Sequence, residues 1–251
     1  MLVSVIIPAY NEEKAVRQVI MDVADQTAPL LTMGHSLEIL LIANSCSDNT
    51  IPWALETADI YRPSSYDVSV TSAYNPFPEI KVIEEERKGY GWAHRRGMAE
   101  SKGDIIITLD CDNTYPAKDI PEIVSEFDRS CKECGETVDA VFTNRLTDDA
   151  HMGTVSRVGN FMLSLAIRML HGQVPRDSQS GMWAYRREMM TVLFAGVGSG
   201  MELSEQTKLR VAGESRCWKD RDIEYYERVG ESKLNPVRDG LRCLWRVVTT
   251  V

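Results

Sequence analysis

Ile105-Ile106-Ile107-Thr108-Leu109-Asp110-Cys111-Asp112 is an apolar run that ends in two carboxylates one residue apart. The run reads as a buried strand, and the carboxylates fall where it opens into a loop. Two carboxylates so placed can grip a divalent cation, and that cation can neutralise a diphosphate. The chain begins with a second run of this kind, Val3-Ser4-Val5-Ile6-Ile7-Pro8-Ala9-Tyr10-Asn11-Glu12, read as a strand over 2–8 that stops at Pro8. Together the two stretches predict a nucleotide-diphosphate site at the carboxyl ends of parallel strands.

Working outward, further strands are expected at 38–43 and 80–83, with the Ile105 run completing a strand over 104–109. Helices are expected over 12–26, with Asn11 as N-cap, from Ser47-Asp48-Asn49-Thr50 onward with Asp48 capping, and over 89–101. A stretch rich in Pro, Ser, Tyr and Asn at 62–78 reads as a long surface loop. This β-α-β-α-β-α-β alternation implies an α/β fold, a mostly parallel sheet with helices on both faces. Ligands of such sheets collect outside the carboxyl ends of the strands, where Pro8, Asn44 and Asp110 fall.

The second half is less regular. A helix is expected at 118–130, a strand at 138–143, an amphipathic helix at 153–171, a short strand at 182–185 after the turn Asp177-Ser178-Gln179-Ser180-Gly181, a helix at 202–211 and an extended segment at 223–228. No internal repeat and no linker divides the 251 residues, so a single domain is expected.

Hydrophobic content of 43% and charged content of 26% suit a globular core. A net charge of -9 argues against a nucleic-acid partner and requires any anion site to concentrate positive charge locally. The sequence contains no apolar run of about 18 residues that would span a bilayer. Met1 leads straight into a core strand, so no signal peptide is expected, and the six cysteines are expected in a reducing, cytoplasmic setting. Cys131-Lys132-Glu133-Cys134 lacks a second CxxC or a His pair and reads as two loop thiols. A Rossmann dehydrogenase is disfavoured because no GxGxxG follows the first strand. Residues 228–251 carry a net +3, with Arg238, Arg242 and Arg246 on one helix face and Leu241, Leu244, Trp245 and Val248 towards the other. That pattern fits either a helix lying on an anionic membrane or one docked on the core.

Six segments, in this order, resemble the family 2 glycosyltransferases of the glycosyltransferase A fold, particularly the polyprenyl- and dolichyl-phosphate mannose or glucose synthases. They are the opening Ser4 to Glu12 stretch, Lys88-Gly89-Tyr90-Gly91, Asp110-Cys111-Asp112, Asp177-Ser178-Gln179-Ser180-Gly181, Met201-Glu202-Leu203-Ser204-Glu205 and Gly230-Glu231-Ser232-Lys233-Leu234. The resemblance implies a nucleotide-sugar-binding half at 1–113, an acceptor-binding half at 114–235 and the amphipathic helix at 236–251.

It implies that Asp110 and Asp112 hold Mg2+ or Mn2+, and that Pro8, Ala9, Tyr10, Glu12, Asn44, Lys88, Gly89 and Cys111 join them around the nucleotide sugar. Asp112, Asp177 and Glu205 are the implied catalytic carboxylates. Arg145, Arg157, Arg228, Ser232 and Lys233 are the candidates to grip an acceptor phosphate, a task suited to the planar guanidinium fork. Two positions depart from the family. Ala43-Asn44-Ser45-Cys46-Ser47-Asp48 follows the second strand where many relatives place aspartates, and Thr114 stands where they often offer a further metal ligand.

The implied activity is inverting, metal-dependent transfer of a sugar from a UDP- or GDP-sugar to a polyprenyl or dolichyl phosphate, with peripheral contact at the cytoplasmic face of a membrane. Transfer to a hydroxyl acceptor, as in a glucosyl-phosphoglycerate or glycolipid synthase, is the alternative. A non-catalytic nucleotide-sugar-binding protein is a third.

Overall fold

Three buried strands and a partly exposed edge strand build the first half of the molecule: β1 (Leu2–Ala9), β2 (Ser36–Asn44) and β4 (Ile105–Thr108), with β3 (Glu79–Glu85) at the edge. They run parallel in the order β3-β2-β1-β4. The computed structural model describes residues 1–62, 77–131, 135–147, 151–172, 174–191, 200, 202–215 and 217–230. Most of the expected 62–78 loop, Cys134, Ser232, Lys233 and the expected helix at 236–251 lie outside the described residues.

Side chains alternate across β1, and each face meets its own core. Val3, Val5 and Ile7 pack with α1 (Val16–Ala24) and α5 (Ile120–Phe127). Ile6 packs on the other face with Ala93 and Met98 of α4 (Tyr90–Glu100). Gly97 lets α4 lie tight on the sheet, since a methyl there would overlap the Ile6 side chain. The short α2 (Thr27–Thr32) and the longer α3 (Thr50–Ile60) complete the crossovers.

The second half adds β5 (Ala140–Asn144), β6 (Trp183–Arg186) and β7 (Trp218–Asp222) to the same sheet. β6 runs antiparallel between β4 and β5, and β7 pairs parallel with β5. The helices α6 (Thr154–His171) and α7 (Glu202–Glu214) belong to this half.

Three expectations change. β1 continues through Pro8 to Ala9. The Ile6 carbonyl accepts from the Leu109 amide at 3.0 Å, so the Pro8 nitrogen, two residues on, faces the same way beyond the last β1–β4 pair, Ile6↔Thr108, where a missing N–H costs nothing. The helix expected over 12–26 begins only at Val16, after a turn in which Val16 N donates to Glu12 O at 2.9 Å. Asn11 does not cap it, having φ 54 and its amide on Ser47. The expected extended segment at 223–228 lies outside the ladder, and the strand is Trp218–Asp222 instead. Its Lys, Asp, Arg, Asp run sits on the sheet edge with no apolar alternation to reveal it.

Candidate active site

Three strand ends converge. Among the described residues, the non-glycine residues with positive φ are Asn11 (54), Ser45 (52) and Asn113 (61), just beyond β1, β2 and near the end of β4. Strained backbone of this kind persists where the surroundings fix it, and it gathers at functional sites. The first two loops are laced together: Asn11 Oδ1 accepts from the Ser47 amide at 2.8 Å, and Asp48 accepts from the Glu13 amide at 3.1 Å. The N-cap of α3 falls on Asn49 rather than on Asp48, but Asp48 accepts from the Thr50 amide at 3.0 Å and so satisfies a donor of the first turn from one residue earlier.

On this side the structure brings Tyr10 and Lys88 together. Lys88 Nζ donates to the Tyr10 hydroxyl at 2.7 Å and lies 4.6 Å from its ring centre. Pro8 and Ala9 are buried in β1 and set where Tyr10 emerges. The Glu12 amide donates to Thr50 Oγ1 at 2.8 Å. Asn44 is buried and works on its own neighbours: its amide donates to the Glu85 and Arg87 carbonyls at 3.1 and 2.8 Å, and its oxygen accepts from the Gly89 amide at 2.8 Å. It shapes the turn that launches α4, and Gly89, at φ 144, supplies the backbone freedom there.

The carboxylate pair lies at the centre. Tyr90 donates to Asp110 Oδ1 at 3.0 Å. The rest of the Asp110 carboxylate rests on Gly181, where any side chain would overlap it. Burial, and then the charge of Asp112, pushes the Asp110 pKa up to about 6. Asp112 Oδ1 accepts from the Thr114 amide and hydroxyl at 3.1 and 2.5 Å, and Arg228 Nη2 pairs with Asp112 Oδ2 at 2.5 Å. Thr114, the doubtful further ligand, is thus turned onto Asp112. Cys111 points into the core between the two carboxylates, and burial raises its thiol pKa well above the usual range.

The donor set fits a hard divalent cation that takes its remaining ligands from phosphate oxygens and water. Two carboxylates share the site, one has a raised pKa, and a guanidinium already answers the other. Among the described residues, no group of three His, Cys, Asp or Glu side chains forms a closed metal cage.

Behind the pair is a second buried network that separate motifs did not foreshadow. Arg145 Nε and Nη2 reach the Asp177 oxygens at 2.7 and 3.1 Å, with Tyr225 and Tyr115 rings 5.2 and 6.0 Å from the guanidinium. Burial raises the Asp177 pKa, but Arg145 outweighs it and holds the carboxyl below its ordinary value. The two residues expected to act separately, one on an acceptor phosphate and one as a catalytic carboxylate, are partners. Gln179 donates to Asp177 Oδ1 through its amide at 3.0 Å and to Glu205 Oε1 through its side chain at 3.1 Å. Lys208 of α7 is fully buried and donates to the Ser178 carbonyl at 3.0 Å and to that of Ser180. Burial lowers its pKa to about 7. Arg157 sits in the first turn of α6, half-buried.

Sequence reasoning missed Tyr90, Tyr115, Gln179 and Lys208. Tyr90 and Gln179 lay inside quoted motifs, which were signals available to a closer reading. Lys208 gave none, because a lysine on a helix ordinarily reads as a solvated charge.

The sequence matches the glycosyl transferase family 2 profile over residues 4–194. It is 28% identical over 238 residues to the dolichyl-phosphate hexose transferase of Haloferax volcanii, covering 94% of this chain and 88% of that protein. It is 26% identical over 237 residues to the undecaprenyl-phosphate 4-deoxy-4-formamido-L-arabinose transferase of Pseudomonas fluorescens, covering 94% of this chain but only 61% of that one. Its fold is similar to that of glucosyl-3-phosphoglycerate synthase from Mycobacterium tuberculosis, solved with Mn2+, UDP and phosphoglyceric acid (TM-score 0.64, 20% identity, 99% of this chain and 76% of that one). A match running from β1 through β6 takes in both halves of the sheet and the carboxylate pair between them, so the chain belongs to glycosyl transferase family 2 and is an enzyme that transfers sugars.

Proposed function

We propose that this enzyme moves one sugar, with inversion, from a UDP- or GDP-sugar to a polyprenyl or dolichyl phosphate, and that it depends on Mg2+ or Mn2+. The observation that carries the reading is the pairing of Asp177 with Arg145. A hydroxyl acceptor needs a base to take its proton. Asp177 is fully buried and its negative charge is held by a bidentate guanidinium, which makes it a poor proton acceptor. A phosphate is already ionised and needs no base. The names of the relatives with lipid-phosphate acceptors point the same way.

In this reading residues 1–113 bind the donor and 114–235 the acceptor. Tyr10 and Lys88 border the nucleoside, and Asp110 and Asp112 hold the cation, which supplies charge to stabilise the departing diphosphate. Arg228 exchanges its contact with Asp112 for a phosphate oxygen, and the Arg145–Asp177 pair fixes the floor beneath the reacting carbon. An acceptor phosphate oxygen bonds to the anomeric carbon as the carbon–oxygen bond to the nucleoside diphosphate breaks, and the electron pair leaves with the diphosphate. Catalysis is then positioning and charge stabilisation.

The test is nucleoside-diphosphate release with Mn2+ or Mg2+, screening UDP-glucose, UDP-galactose, UDP-N-acetylglucosamine and GDP-mannose with and without a short polyprenyl phosphate. Release that rises with the lipid phosphate is expected. Asp112→Ala should lower it about 100-fold or more at saturating metal, the scale set by losing one charge-stabilising contact. Release that ignores the lipid phosphate but responds to a soluble hydroxyl acceptor, and that falls with Glu205→Gln, would replace this reading with hydroxyl transfer.

A further inference from the structure

The helix α6 is apolar on two sides. Inward, Ser164 and Ile167 are buried, and Ser164 Oγ lies 3.1 Å from Ser178 Oγ and accepts from the Ser178 amide at 3.2 Å, strapping the helix to the Asp177–Gly181 turn. Outward, Val158, Phe161, Met162, Leu165 and Met169 are between 40% and 80% exposed. Their spacing of 3, 4, 7 and 11 residues from Val158 places them on one stripe. The other exposed large apolar side chains among the described residues are Met1, Met21, Phe77 and the α3 pair Leu55 and Ile60, apart from Leu170 beside this stripe. Contiguous exposed apolar surface of this kind marks an interaction site.

Charge says what the surface fits. Thr154–His171 contains no Asp or Glu, in a chain of net charge -9. Arg157 and Arg168, eleven residues apart, run along one edge of the stripe, with Arg168 close enough to Asp220 to act on its titration. A second copy of the helix would bring no acidic group to meet these arginines. A sheet of anionic headgroups over an acyl layer answers both features. No helix among the described residues is long and apolar enough to cross a membrane, so the contact would lie in the surface.

We infer that the outer face of α6 (Val158, Phe161, Met162, Leu165, Met169) docks the enzyme on an anionic lipid surface, with Arg157 and Arg168 at the headgroups. The inference builds on the polyprenyl-phosphate reading, whose acceptor is carried in such a surface. The stripe lies about one helix diameter, ~10 Å, from the turn that bears Asp177, comparable with the depth to which interfacial helices sink. Docking there sets the acceptor side of the site at headgroup level.

The experiment is co-sedimentation of the full chain with phosphatidylcholine vesicles, with and without phosphatidylglycerol, for the wild type, Met162→Glu/Met169→Glu and Arg168→Gln. Each protein is also assayed for turnover on a short water-soluble isoprenyl phosphate and for thermal unfolding. The wild type is expected to prefer anionic vesicles. The double variant should lose at least about tenfold in partitioning, the effect of withdrawing one or two large apolar side chains from contact, with unfolding and soluble-acceptor turnover intact. Arg168→Gln should narrow the preference for anionic over neutral vesicles by a few-fold.

Unchanged partitioning in the double variant overturns the proposal. So does a wild type that ignores vesicles and whose dimer is broken by the same substitutions in light scattering, which would assign the face to a second copy. Vesicle binding that depends on these residues, without transfer to any lipid phosphate, upholds the docking face and rejects the acceptor reading.

Discussion

Gly181 shows how much one residue settles. It carries no chemistry, yet the Asp110 carboxylate lies where its side chain would be. Gly181→Ala should therefore push Asp110 away from Tyr90 and from Asp112, and a displacement near 1 Å at a reacting centre costs about 100-fold. Steady-state turnover against thermal unfolding checks this: a large fall in kcat with a nearly unchanged midpoint is expected, whereas full activity would remove Gly181 from the site. The glycine was legible as part of a turn motif, but its contact was not, because 71 positions separate it from Asp110. Lys208 was hidden for the opposite reason. Its chemistry looked ordinary, and only burial under the Ser178 and Ser180 carbonyls changes what it does.

At the scale of the element, α4 links the core to the site. Tyr90 at its start reaches Asp110, and one turn later His94 lies fully buried, with ring centres 4.3 Å apart. Among the described residues, neither His94 ring nitrogen finds a hydrogen-bond partner. Burial, and then the charge of Lys208, lowers its pKa to about 3. A folded-state pKa depressed below the unfolded value of about 6.5 contributes stability that is present above the unfolded pKa and lost as pH falls towards the folded one.

Between pH 6.5 and 4.5 the wild type should therefore lose about 2 kcal/mol more than His94→Leu, since each pH unit is worth up to about 1.4 kcal/mol per proton. Urea unfolding at both pH values measures it, and parallel losses in the two proteins would count against a neutral buried imidazole. Gly97→Ala on the same helix should destabilise by about 1–3 kcal/mol, read from the urea midpoint, because its methyl would overlap Ile6 at the α4–β1 contact. The helix itself was legible within a residue at each end, from its glycine start and the strand that follows.

For the whole molecule, donor nucleotide and metal should act as one ligand. In the proposed reading the mutual repulsion of Asp110 and Asp112 is relieved when a cation and a diphosphate arrive together, while the sheet is held by apolar cores on both faces. UDP or GDP at about 100 times its Kd with saturating Mn2+ should add about 2.7 kcal/mol, raising Tm by roughly 5–10 °C for a chain of this size. Chelation should abolish turnover and leave the unliganded Tm in place. Thermal shift with nucleotide alone, metal alone and both together is the check, and equal shifts without synergy would show that the two do not share a site.

The sequence by itself determined the parallel half of the fold, because β1, β2 and β4, buried on both faces, read as near-continuous apolar runs and the intervening helices must alternate with them. It placed the carboxylate pair, since a strand end is a local feature. Tertiary structure alone decided that β6 enters antiparallel between β4 and β5, and that the charged edge strand β7 forms at all. It alone joined Arg145 to Asp177, Arg228 to Asp112 and Lys88 to Tyr10. Those pairings depend on which loops meet in space, and the local hydrophobic pattern of the chain carries no record of that.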